Sequence, residues 1–224
     1  MTVDRKTADI PKKKVYFISG LGADRTVFNN LDLSFCEPVF LDWITPLKKE
    51  SLQHYALRLA EGIKEPDATI VGLSMGGMMA SEIAKAHPAM KAVIISSNRS
   101  SKEFPKYTRF LSTYLPVYQL TTKMIMRIIF PLSCWFLGAE TQADRRHLFG
   151  VIDRTDLSFV KWCIWAISRW RLPEPQPNVI HIHGTADRLL PFHYVHPDYT
   201  IHGGGHLMIM NRAAEISDLL KKLC

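Results

Sequence analysis

No run in this 224-residue sequence is long and apolar enough to read as a bilayer span. The most apolar stretch, "MIMRIIFPLSCWFLGA" at 124–139, is interrupted by Arg127 and Pro131. The amino-terminal "MTVDRKTADIPKKK" lacks the apolar core of an export signal. Cysteine is sparse: Cys36, Cys134, Cys163 and Cys224 show no C-x-x-C spacing, and without an export signal they read as free thiols. Neither an H-E-x-x-H nor a nucleic-acid reader motif is present. Negative charge is in deficit, 28 Lys and Arg against 21 Asp and Glu, for a net charge of +7. That excess suits an anionic partner such as nucleic acid or lipid headgroups, but the positives are scattered. The clearest run, Lys12 to Lys14, precedes an apolar strand and reads as a solvated, gatekeeping flank. The expectation is a soluble, cytoplasmic protein with a small-molecule substrate, no nucleic-acid partner and no membrane span.

What is present is an alternation of short β-rich runs and helical patterns. Strands are expected at 14–19, 38–43, 68–73, 91–96, 178–184 and 198–203, with helices at 50–64, 76–87 and 207–223. Apolar, β-branched strands separated by helices imply a mostly parallel, doubly wound α/β sheet of about six strands, covered on both faces. Residues 99–172 break the alternation: they hold apolar helical patterns, four of the five Trp and no clear β-run. The simplest account is a helical cap inserted after the fourth strand. The expected division is therefore 1–98 and 173–224 as the core, and 99–172 as the insertion. Within the insertion, 156–170 reads as a helix capped by Asp156, and 123–137 as an apolar helix broken at Pro131.

One stretch costs more than packing explains. "VGLSMGGMM" at 71–79 puts Gly72, Ser74, Gly76 and Gly77 where a strand runs into a helix. A sharp strand-to-helix turn strains its central residue and exposes that side chain. The residues two before and two after come so close that both must be small. That is the G-x-S-x-G nucleophile elbow, with Ser74 as nucleophile. In a doubly wound sheet it lies at the carboxyl ends of the strands, where reactive sites are built. A serine nucleophile needs a base, and the base an orienting acid. Asp187 follows the fifth strand in "HIHGTADRLLP", and His206 follows the sixth in "HGGGHLMIM". Both fall at the end of the sheet that carries Ser74. Asp187 also reads as a turn or capping residue, His206 as a helix cap, and Asp198 is a competing acid; Asp198, however, precedes its strand and belongs at the opposite end. Two backbone N–H donors complete such a site, one from Met75 and one from Leu21 in the glycine-rich loop "SGLGAD" after the first strand.

With these motifs the sequence resembles the α/β-hydrolase superfamily, through "YFISGLGADRTVF", "IVGLSMGGMMASEIAKAHP", "IHGTADRLLP" and "GGGHLMI". The resemblance covers somewhat over half the chain. It implies Ser74, His206 and Asp187 as the triad, Leu21 and Met75 as oxyanion donors, and 99–172 as the variable cap. The chain departs from the family pattern in carrying Ser19-Gly20 where many members have His-Gly. The antiparallel hairpin before the first parallel strand is missing or reduced to 1–13.

The expected activity is hydrolysis of a carboxylic ester through an acyl-enzyme, with no cofactor. Thioesterase, amidase, lactonase and acyltransferase share that intermediate, and a ligand-binding sensor on the same scaffold is the rival from another class. His181 and His183 face one side of a strand and invite comparison with a zinc site. A buried histidine pair with local hydrogen bonds is the better reading, and no metal is expected. The apolar patterns of 123–137 and 156–170 raise the expectation of an apolar pocket over Ser74, hence a substrate with an apolar group.

Overall fold

The computed structural model describes residues 12–105 and 117–224; most of the stretch read for an export signal and of the segment read as a reduced hairpin lies outside the described residues. Six strands form one sheet: β1 Lys14–Ile18, β2 Glu37–Phe40, β3 Thr69–Leu73, β4 Lys91–Ile95, β5 Val179–Gly184 and β6 Tyr199–Ile201. Their order is β2-β1-β3-β4-β5-β6, and every neighbouring pair is parallel. The two-residue period sorts each strand between two cores. In β1, Tyr16 and Ile18 enter one and Val15 and Phe17 the other; in β4, Ala92 and Ile94 divide from Val93 and Ile95 in the same way. Helices α1 Leu52–Ala60 and α2 Met75–Ala86 cover the first face.

The closing helical stretch is split. Arg212 leaves helical geometry (φ −125°, ψ 32°), giving α8 Met208–Asn211 and α9 Ala213–Leu223 where one helix was expected. Its guanidinium contacts both carboxylate oxygens of Glu140 at 3.1 Å.

Between β4 and β5 the described α-helices are α3 Val117–Leu120, α4 Lys123–Ile128, α5 Phe130–Leu137, α6 Gln142–Arg154 and α7 Leu157–Arg169, and no strand occurs among the described residues there. The break within 123–137 falls at Ile129, and Pro131 occupies the first turn of α5, where a missing N–H costs no helical bond. Asp156 caps α7, accepting from the Ser158 N–H at 2.8 Å. These helices divide by burial. Helix α7 joins the sheet's own core: Trp162 stacks on Tyr55 with centroids 4.4 Å apart and donates its indole N–H to the Glu50 carbonyl at 2.9 Å. Helices α4 and α5 bury only Cys134 between them. Among the described residues no helix is long and apolar enough to cross a membrane.

Register brings the site residues to one edge. Gly72 lies opposite both Ile18 and Ile94, and Ile95 opposite Ile182, so β1, β3, β4 and β5 end together. The chain order reverses between β1 and β3, and at such a switch point two strands send their following loops apart and leave a crevice at their carboxyl ends.

Candidate active site

Ser74 joins β3 to α2 with φ 52° and ψ −118°, a conformation L-residues rarely adopt. Close packing makes the flanking glycines obligatory. A Cβ on Gly72 would sit 2.4 Å from the Gly76 carbonyl oxygen, and one on Gly76 2.3 Å from that of Ser19. Backbone bonds hold the turn from both sides. The Ser74 N–H donates to Ile95 O at 2.9 Å, and the Ser74 carbonyl accepts from Gly77 N–H at 2.9 Å and from the Ser97 hydroxyl at 2.6 Å.

His206 Nε2 lies 3.0 Å from Ser74 Oγ, and His206 Nδ1 lies 2.8 Å from Asp187 Oδ2. Asp187 Oδ1 accepts from the Leu189 and Leu190 N–H groups at 2.9 and 2.8 Å, which fixes the carboxylate plane. Both Asp187 and His206 are buried, while Ser74 stays partly open. Burial alone pushes the Asp187 carboxyl up. The charge and hydrogen bond of His206, the nearby His183 and the Leu190 N–H outweigh it, so the group sits below the usual carboxylate range. An ionised Asp187 holds the proton on His206 Nδ1 and leaves Nε2 free to accept from the serine. Asp198 is committed elsewhere, to the Arg99 guanidinium and the His181 N–H.

Met75 follows Ser74 in the chain, and Leu21 lines the cavity above Ser74. Met75 opens α2, and the first N–H groups of a helix have no intrahelical acceptor. Leu21 lies in the loop after β1, which passes so close that a Cβ on Gly20 would be 3.3 Å from Ser74 Cβ. Three contacts pin this loop: Ser19 Oγ and Trp43 Nε1 both donate to Ala23 O at 2.8 Å, and Thr155 Oγ1 donates to Gly22 O at 2.8 Å. Ser19 thus restrains the loop that follows it. Sequence reasoning missed Trp43, Ser97 and Thr155 because nothing local marks them; Thr155 meets Gly22 across 133 residues.

His181 and His183 are buried side by side. His181 Nε2 lies 3.1 Å from His183 Nδ1, and His183 Nε2 lies 2.8 Å from the Leu190 carbonyl. Burial lowers the pKa of both, so a neutral pair passes one N–H along this series. Among the described residues no three His, Cys, Asp or Glu side chains gather where they could share a metal ion.

A cavity of about 500 Å³ stands over Ser74 and His206. Its walls are mostly apolar, with Leu21 and Met78 from the core side and Met126, Phe130, Leu137, Val160 and Ile167 from the inserted helices. A second cavity of about 540 Å³ lies beyond Thr155, lined by Trp43, Lys48, Lys49 and Arg154 among others; Ser74 is not part of its wall.

The alpha/beta hydrolase family model matches residues 15–219. No curated protein sequence matches the chain. Solved structures share the fold at low identity. An esterase from Exiguobacterium antarcticum superposes with a TM-score of 0.75 at 12% identity, over 95% of this chain and 92% of that one. A thermophilic esterase from Thermogutta terrifontis gives 0.72 at 14% identity, over 95% and 89%. A bromoperoxidase from Bacillus anthracis gives 0.72 at 16%, over 93% and 90%.

Proposed function

This chain belongs to the alpha/beta hydrolase family, and on that premise we propose that it is a serine hydrolase cleaving carboxylic esters that carry an apolar acyl or alcohol group. The observation that carries the reading is the continuous hydrogen-bonded series from Ser74 through His206 to Asp187, at 3.0 and 2.8 Å, on a strained turn beneath an apolar cavity. Ser74 Oγ attacks the ester carbonyl while His206 Nε2 takes its proton. The Leu21 and Met75 N–H groups stabilise the oxyanion. Collapse expels the alkoxide, which leaves with the proton from His206, and the acyl group stays on Ser74. Water, deprotonated by His206, attacks the acyl carbon, and Ser74 leaves with that proton as the acid is released. Asp187 stabilises the imidazolium in both halves. The reaction uses protein groups and water alone. Within 99–172 the helices that line the cavity act as the cap over the core formed by 1–98 and 173–224, α7 serving both as cavity wall and as part of the sheet's core, and the cap's inner face sets the preference for an apolar group. The esterases among the structural neighbours accord with this reading, as does the low polarity of the walls above Ser74.

Hydrolysis of p-nitrophenyl esters from acetate to decanoate tests it. Each buried methylene contributes about 0.8 kcal/mol, so kcat/KM rises a few-fold per step until the cavity is full. Ser74→Ala lowers kcat by roughly 10³-fold or more on every member of the series. Turnover by Ser74→Ala comparable to the wild type contradicts the nucleophile assignment. A monotonic fall from acetate upward contradicts the apolar substrate.

A further inference from the structure

Helix α5 is apolar on opposite sides. Phe130, Ser133 and Leu137 line the cavity, whereas Leu132, Trp135 and Phe136 point away from it and are 55%, 54% and 37% exposed. Helix α4 repeats the arrangement: Met126 lines the cavity, while Met124 and Ile128 are 69% and 68% exposed. A helix apolar all round is ordinarily enclosed on all sides, and single scattered apolar side chains are what a soluble surface normally shows. Here consecutive helices present a contiguous run of them, so the outer face calls for a cover.

The charges around it say what kind. No acidic side chain occurs from residue 121 to 138, a stretch that contains Lys123 and Arg127. The Arg188 guanidinium lies over the Trp135 ring, 4.6 Å from its centroid, and donates to the Trp135 carbonyl at 2.9 Å. Arg145 and Arg146 of α6 are exposed. Acidic neighbours are already engaged, Asp153 by Arg127 at 2.7 Å and Glu140 by Arg212. We propose that the outer face of α4 and α5 docks this protein on an anionic lipid surface. These helices are too short to span a bilayer but suited to lie in its interface, with apolar side chains among the acyl chains and cations at the phosphates. A Trp–Arg pair at the rim matches headgroup depth, where indole rings collect. A second copy of the chain is the poorer occupant, because it would press one cationic rim against another in a protein of net charge +7. The face adjoins the cavity as well: Leu189, next to Arg188, lines the cavity and is 46% exposed. Docking therefore sets the cavity's edge against the lipid, whatever chemistry Ser74 performs.

The test is co-sedimentation of the full chain with vesicles of phosphatidylcholine alone and of phosphatidylcholine with one-third phosphatidylglycerol. Each cation near an anionic surface is worth about a fivefold gain in partitioning, so the anionic vesicles bind on the order of 10²-fold more tightly, and high salt erodes the difference. Ile128→Glu/Leu132→Glu, at two positions that do not line the cavity, lowers binding by about tenfold or more. Its melting temperature stays near that of the wild type, because both side chains are exposed. If that variant fails to fold, Met124→Ser/Trp135→Ser carries the same expectation. No preference for anionic vesicles overturns the proposal, as does undiminished binding by a folded variant. A solution mass of two chains that falls to one chain in the variant, without vesicle binding, assigns the face to self-association and overturns it too. Labelling of Ser74 by a fluorophosphonate is independent of all these outcomes, so the catalytic reading and the docking surface fail separately.

Discussion

Helices α2 and α5 are both poor in charge, yet they live in opposite surroundings. Ten of the twelve residues of α2, "MGGMMASEIAKA", are buried, between the sheet and α1. Of the eight residues of α5, "FPLSCWFL", only Cys134 is buried. The same kind of composition therefore does two jobs. In α2 apolar side chains drive folding and hold Ser74 at its strained turn. In α5 they gain little from the fold itself; one face borders the cavity and the other faces outward. Apolarity by itself does not report stability; what stands opposite each side chain does.

The sharpest way to break this contrast is to disturb the start of α2. Gly76→Val would put a branched side chain where even a Cβ lies 2.3 and 2.4 Å from two backbone carbonyl oxygens. Backbone must shift, costing several kcal/mol, so thermal denaturation should show a fall of about 10 °C or more, or the variant should not accumulate in soluble form. A melting temperature close to the wild type would mean that the turn is not held as tightly as its contacts imply. The corresponding change in α5 acts on substrate. Phe130→Ala removes a cavity wall, and kcat/KM for a long-chain ester should fall about tenfold or more while that for acetate barely moves. Equal losses on both esters would place Phe130 in a general structural role.

A smaller effect separates the helices by pH. Glu82 is buried in α2 and accepts from Trp170 Nε1 at 2.7 Å. Burial raises its pKa, only partly offset by the Trp170 bond and by Lys85. The folded protein thus keeps a proton that the unfolded chain releases at about pH 4.3. Stability falls as pH rises above that value, until the folded carboxyl ionises as well. Glu82→Gln keeps an acceptor for Trp170 and should flatten this slope, leaving the variant relatively more stable at pH 7 than at pH 4. Melting temperatures across that range check it, and parallel curves for the two proteins would contradict it. Smallest of all, Leu132→Ala on the outer face of α5 should change stability by no more than about 0.5 kcal/mol, since its side chain is more than half exposed. A loss of several kcal/mol there would show that the face is packed.

Much of this frame was legible in the residues. Alternating apolar runs placed all six strands, and the glycines around Ser74 announced a turn too tight for any other residue. Strand-end logic put Ser74, Asp187 and His206 at one edge, where the structure joins them by hydrogen bonds. Other features had no local sign. Periodicity tells which residues share a helix face but not what that face meets, so α7 read as part of the insertion although Trp162 and Cys163 sit in the sheet's core. The break at Arg212 follows no proline or glycine, and its guanidinium reaches Glu140, 72 residues away. Ser97 and Thr155 hold the site's backbone through contacts that no window of sequence spans.

The central claim is that Ser74 is an activated nucleophile. The most direct measurement is peptide mapping by mass spectrometry after brief exposure to a fluorophosphonate. A single adduct on Ser74, formed rapidly in the wild type and slowed at least a hundredfold in His206→Ala, is the expected result. Absence of an adduct on Ser74 in the folded wild-type protein, or labelling that His206→Ala leaves unchanged, would contradict it.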